Sequence, residues 1–227
     1  MSDSKSSVRE FVLVVLGVLL AFAIQSRWET RQERRDEVGY LEALRSELLE
    51  NRSQLLRLED VSRRSMAAVD TLRGAWSGEA RVDVGRLPRL VWRATGVSGG
   101  SFGSTALESL TRSSAWARLP DSNLQLALSK LELSLGQLRS SADVANRYWF
   151  DASEPFLREL VSYDEWSRAN ADPDDVTIDA AAWTGLLVDL RFRNLITHAD
   201  WFAETTLRQA DRIVAEIDEV VALMEPS

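Results

Sequence analysis

Between Trp28 and Arg73 the chain carries no proline and one glycine, Gly39, while its apolar residues recur at alternating steps of three and four. Leu41, Leu44, Leu48, Leu55, Leu58, Val69 and Leu72 hold that register, and Asn51, Ser62 and Ser65 fill its remaining positions. Steps of three and four keep residues on one face of an α-helix, whereas steps of two would line one face of a strand. The segment therefore predicts one long amphipathic helix with coiled-coil-like periodicity and three polar interruptions. At 1.5 Å per residue it is about 69 Å long. Gly74 and Gly78 mark its expected end, because helix C-termini favour glycine.

The rest of the chain reads the same way. A short helix is expected over Arg86–Ala94 and another from a Ser104 or Thr105 cap through Arg112. Leu124, Leu128, Leu131, Leu135, Leu138, Ala142, Ala145 and Trp149 form a second long seam, opened by Asp121 or Ser122. Ser153-Glu154-Pro155 looks like a fresh helix start, with proline tolerated in the first turn. Ala169 to Asp179 is polar and reads as a loop. A third long helix is expected from Ala180 to Met224, its seam including Ala203, Leu207, Ala210, Val214, Ile217 and Val221. No stretch sustains two-residue alternation, so the fold class is all-α, an antiparallel helical bundle.

Phe11 to Ile24 is an unbroken run of 14 apolar residues. As a helix it covers about 21 Å, short of the ~30 Å hydrocarbon core of a bilayer. Counted from Val8 to Trp28, the segment reaches about 31 Å. Arg9 can snorkel at one end, and Arg27 with Trp28 supplies an interfacial anchor at the other. The rival reading is a cleaved signal peptide, with Ala21-Phe22-Ala23 as the small-x-small site, leaving a secreted or periplasmic helical protein. Glu10 argues against it, since it abuts the apolar run where a signal peptide prefers positive charge. The expected layout is a tail at 1–10, a transmembrane anchor at 11–27 that contacts the lipid bilayer, and a bundle at 28–227 with loops near 74–104 and 169–179. The expected location is the bacterial inner membrane. Lys5 and Arg9 against Arg27, Arg31, Arg34 and Arg35 lean towards a cytoplasmic bundle, a margin that leaves the side open.

Composition removes several chemistries. With no cysteine there is no disulfide, cysteine–zinc site or thiol nucleophile, and one histidine excludes any site that needs two. A net charge of −8 argues against a nucleic-acid partner. The charge is uneven: residues 151–227 hold 6 basic and 17 acidic side chains, which suits a solvated face or a basic partner. The glycine-rich loop 96–103 follows a helical pattern rather than a strand, and no lysine follows it, so it fits neither phosphate-binding fingerprint. The aspartates at 172, 174, 175 and 179 suggest calcium, but Val176 and Trp183 stand where an EF-hand loop needs oxygen ligands. His198 has Trp201 and Phe202 as helical neighbours, neither able to ligate a metal. The eight tryptophans are spread singly and read as core filling. No catalytic constellation, metal site or cofactor is expected.

One feature points to assembly. Arg27, Arg31 and Arg35 form an i, i+4 row, and Glu29, Glu33 and Glu37 form another nearly opposite on the helix. Like charges at that spacing destabilise a lone helix slightly. A second copy that set its acidic row against the arginine row would relieve both, which predicts a self-associating stalk. Gly17 and Ala21 add a small-xxx-small pair.

The segments Val15-Leu16-Gly17-Val18-Leu19-Leu20-Ala21, Ile24, Trp28, Glu29, Arg31 and Tyr40-Leu41-x-x-Leu44-x-x-Glu47-Leu48 resemble an uncharacterised family. Its members are small bacterial membrane proteins with one N-terminal transmembrane helix and a helical domain of unknown function. Leu107-Glu108-Ser109-Leu110 to Ala115 and Leu124-x-x-Ala127-Leu128 are similar too. Gln25-Ser26 departs from the pattern, where asparagines precede the tryptophan, and the C-terminal third matches no motif. The resemblance implies an uncleaved anchor and no activity. The expected function is a membrane-anchored, non-catalytic interaction or scaffold protein that binds itself or another membrane protein. A second expectation is a sensor holding a small molecule between helices near Trp149, Trp183 or Trp201. A polar-lined cavity would favour the sensor and a closed core the scaffold.

Overall fold

The structure is a computed structural model and describes residues 3–96, 102–113, 115–119, 121–171 and 177–225. Within 3–37 the described side chains are those of Leu20, Phe22, Gln25, Ser26, Arg27, Trp28 and Arg35. Every regular element among the described residues is helical. Three helices are long: α1 (Asp3–Ser77), α4 (Ser122–Tyr148) and α8 (Leu190–Leu223). The shorter ones are α2 (Leu87–Thr95), α3 (Thr105–Arg112), α5 (Glu154–Leu160), α6 (Tyr163–Ala171) and α7 (Ala180–Val188).

Helix α1 continues unbroken for 75 residues, so the apolar run, the charged stalk and the leucine seam lie on one rod. It stops where its glycines predict. Gly78 takes the left-handed conformation that glycine adopts without strain, at φ +79. Among the described residues no helix is long and apolar enough to cross a membrane. The run 11–24 has only Leu20 and Phe22 among the described side chains, so the expected span is not carried by them.

Four ion pairs set α1 against α8 and the turn just after it. Arg45 meets Glu225 (3.9 Å), Arg52 meets Asp218 (2.7 Å), Arg63 meets Asp211 (3.7 Å) and Arg73 meets Asp200 (2.7 Å). Numbers rise on one helix as they fall on the other, so the two are antiparallel. Exposed pairs of this kind contribute little to stability, and their value here is registry. They also give part of the acidic C-terminal charge a partner, namely arginines of α1. Helix α4 is likewise antiparallel to α8: Lys130 approaches Glu216 at 3.6 Å, and the Gln209 amide donates to Ser141 Oγ at 3.1 Å.

Buried apolar residues form two clusters along this frame. One joins Leu44–Leu58 of α1, Leu124–Leu138 of α4 and Ala210–Val220 of α8, with α3 packed in. The other joins Ala68–Leu72 of α1 to Val91, Trp166, Trp183, Phe192 and Ile196. The leucine seam of α1 thus serves both cores, and its interruptions at Ser62 and Ser65 fall between them.

Several boundaries differ from expectation. The helix expected over 180–224 breaks at Asp189, whose extended backbone lets its carboxylate cap α8 through Arg191 N–H (2.7 Å). An aspartate that can bond its own backbone competes with helix continuation, which the apolar periodicity did not register. Helix α6 reaches Ala171, into the segment read as loop. In place of a fresh start at Ser153, α4 passes through a π-helical turn, Trp149–Ser153, directly into α5. On α8 the deepest residues include Ile213 and Val220, with Val214 and Val221 only half-buried, because α8 packs against α1 and α4 at once.

Candidate functional site

The two cores do not close on one another. Where they meet, all three long helices carry small side chains: Ser62 and Ser65 on α1, Ala142 and Ala145 on α4, Ala199 and Ala203 on α8. A cavity of about 60 Å³ lies between them. Its polar lining is mostly hydroxyl. Ser65 Oγ donates to the Ala94 carbonyl (2.9 Å) and Thr95 Oγ1 to that of Val91 (2.7 Å). Ser62, 4% exposed, lines the cavity with no hydrogen-bond partner among the described residues. Burial raises the Tyr148 phenol above its ordinary pKa. The space suits ordered water, which needs only ~10–15 Å³ by this kind of measure, better than an organic molecule.

Across Thr95, Gly96 and Trp149 a second cleft opens, of about 190 Å³, walled by Trp92, Trp149, Tyr163 and Trp166. Trp166 is central: its ring centroid lies 5.2 Å from Trp92, 5.6 Å from Trp149 and 5.7 Å from Tyr163. Three of the eight tryptophans, far apart in sequence, therefore meet in one place. The π-helical turn supplies Trp149 and Phe150 from one side, α2 supplies Trp92 and α6 supplies Tyr163 and Trp166 from the others. Such turns occur mostly as local bulges inside α-helices, frequently at functional sites.

The other candidate residues take ordinary places. Trp183 is fully buried and donates its indole N–H to Glu165 (3.0 Å). Trp201 is half-exposed and meets Phe202 edge to face. His198 is exposed, 5.1 Å from the Tyr148 ring. Asp179 caps α7 through Ala181 and Ala182 N–H. Residues 97–101 of the glycine-rich loop and Asp172, Asp174 and Asp175 lie outside the described residues. Of the stalk residues Arg27 and Arg35 are exposed, and the side chains of Arg31, Glu29, Glu33 and Glu37 lie outside the described ones. Among the described residues no three histidine, aspartate or glutamate side chains are grouped to hold a metal ion.

Two arrangements have no sequence signature. Glu47 on α1 accepts from Ala106 N–H (2.9 Å) and Leu107 N–H (3.4 Å), capping α3 from a different helix. One turn on, Asn51 exchanges hydrogen bonds with the Gly103 carbonyl (2.8 Å) and N–H (2.9 Å). Glu216, 4% exposed, sits in the α8 stripe where an apolar residue is expected, with Lys130 3.6 Å away. Set against known proteins, the chain matches no protein-family profile, no curated protein and no solved structure.

Proposed function

We propose that this chain is a single-pass protein of the bacterial inner membrane, a non-catalytic interaction module that self-associates through its stalk. The observation that carries this reading is the continuity of α1, which puts the apolar run 11–24, the charged rows of 27–37 and both bundle cores on one rod about 112 Å long. Leu20, Phe22 and Trp28 are exposed on that rod, at 64%, 66% and 72%. Exposed large apolar side chains at a helix end fit lipid or a second helix better than water. In this reading lipid holds 11–27, and the stalk carries the bundle away from the surface.

Two experiments test it. Membrane fractionation should leave the full chain in the membrane after alkaline carbonate extraction and release a chain lacking residues 1–27. Extraction of the full chain would remove the anchor. Reversing Arg27, Arg31 and Arg35 to glutamate should lower the assembly size in detergent by light scattering, and an unchanged size would sink the self-association. A second reading, a small-molecule module, is favoured by the aromatic cleft at Trp149.

A further inference from the structure

The cleft between α2, α6 and the π-helical turn combines two features. Aromatic side chains wall it: Trp92, Trp149, Tyr163 and Trp166, with Phe150 at the edge. Glu154 is the one charged residue among the described residues lining it.

We infer that this cleft binds a compact organic cation, a methylated ammonium compound. Aromatic faces attract cations through their quadrupoles, and cages of such rings recognise quaternary ammonium groups. Alkylated ammonium groups are favoured over bare ones because aromatic rings cannot replace the hydrogen bonds that a strongly hydrated ammonium gives up. Glu154 puts a carboxylate in the wall, which repels an anion and favours a cation. Size agrees: 190 Å³ exceeds the ~150 Å³ of an apolar cavity that holds benzene.

A cation already uses part of this wall. The Arg158 guanidinium lies 4.6 Å from the Tyr163 ring centroid and pairs with Glu154 at 2.5 Å. Arg158 is an internal competitor that a ligand cation displaces or joins. The inference stands apart from the membrane anchor, and the two can fail separately.

The test is calorimetric titration of the full chain in maltoside detergent with choline, trimethylglycine, tetramethylammonium and 3,3-dimethylbutan-1-ol, the neutral carbon isostere of choline. Choline is expected to bind saturably and about tenfold more tightly than the isostere, the factor a cation–π contribution of ~1.4 kcal/mol gives. Trimethylglycine should bind more weakly than tetramethylammonium, because Glu154 repels its carboxylate. Tyr163→Leu, at an exposed ring, should weaken choline several-fold with the helical circular dichroism unchanged. Arg158→Gln should strengthen it. Equal binding of choline and its isostere, no saturable binding of any of the cations, or a Tyr163→Leu chain that folds and binds choline like the wild type would each overturn the inference.

Discussion

Two serines three residues apart on α1 show how little a residue's position in a seam says about its energetics. Ser65 donates to the Ala94 carbonyl, and Ser62 lines the cavity without a hydrogen-bond partner among the described residues. Ser65→Ala should lower stability by about 1 kcal/mol, since it strands a buried carbonyl. Ser62→Ala should leave stability unchanged or raise it. Urea midpoints of the two variants test the contrast. Glu59 offers a second test at this scale. Burial and the neighbouring Asp211 carboxylate raise its pKa, against the opposing pull of Arg63 and Arg52. A carboxyl raised in the folded state gives stability that is complete below the ordinary glutamate range and is lost as pH rises through the folded value. Glu59→Gln should therefore unfold at a higher temperature than the wild type at pH 7, with the gap closing towards pH 4. The existence of polar interruptions at Asn51, Ser62 and Ser65 was legible in the sequence. Their partners were not, because each lies on an element whose approach depends on tertiary packing.

Elements followed the sequence where periodicity and caps agreed, and departed from it where a local hydrogen bond decided. The three-and-four spacing predicted α1, α4 and α8, and Asp121 caps α4 as expected through Asn123 N–H. Asp189 broke the third helix because its side chain bonds its own backbone. The π-helical turn at Trp149 was invisible, since one wider turn barely disturbs an apolar register. The docking of α3 onto α1 is also a tertiary matter, made by Glu47 and Asn51 across more than fifty residues. Asn51→Leu removes two buried hydrogen bonds to Gly103 and should cost about 2 kcal/mol, read as a lower denaturant midpoint with the slope unchanged. The aromatic cleft was legible only in part: Trp149 stood out beside an apolar seam, but nothing in the spacing brought Trp92 and Trp166 to it.

At the scale of the whole molecule, α1 and α8 hold both cores between them, so stability belongs to the pair rather than to any subset of short helices. A chain stopped before Leu190 should lose cooperative thermal unfolding by circular dichroism while keeping part of its helical signal. A sharp transition in that fragment would show that the remaining helices fold without α8. The α1–α8 pairing also sets a schedule. Arg52 meets Asp218 across 166 residues, and contacts so distant in sequence fold slowly because loop closure must precede them. During synthesis the leucine face of α1 leaves the ribosome long before α8 exists to cover it. A growing chain of this protein therefore carries an apolar stripe that α2, α3 and α4 cover only in part until α8 emerges, and that interval is when it is most exposed to aggregation.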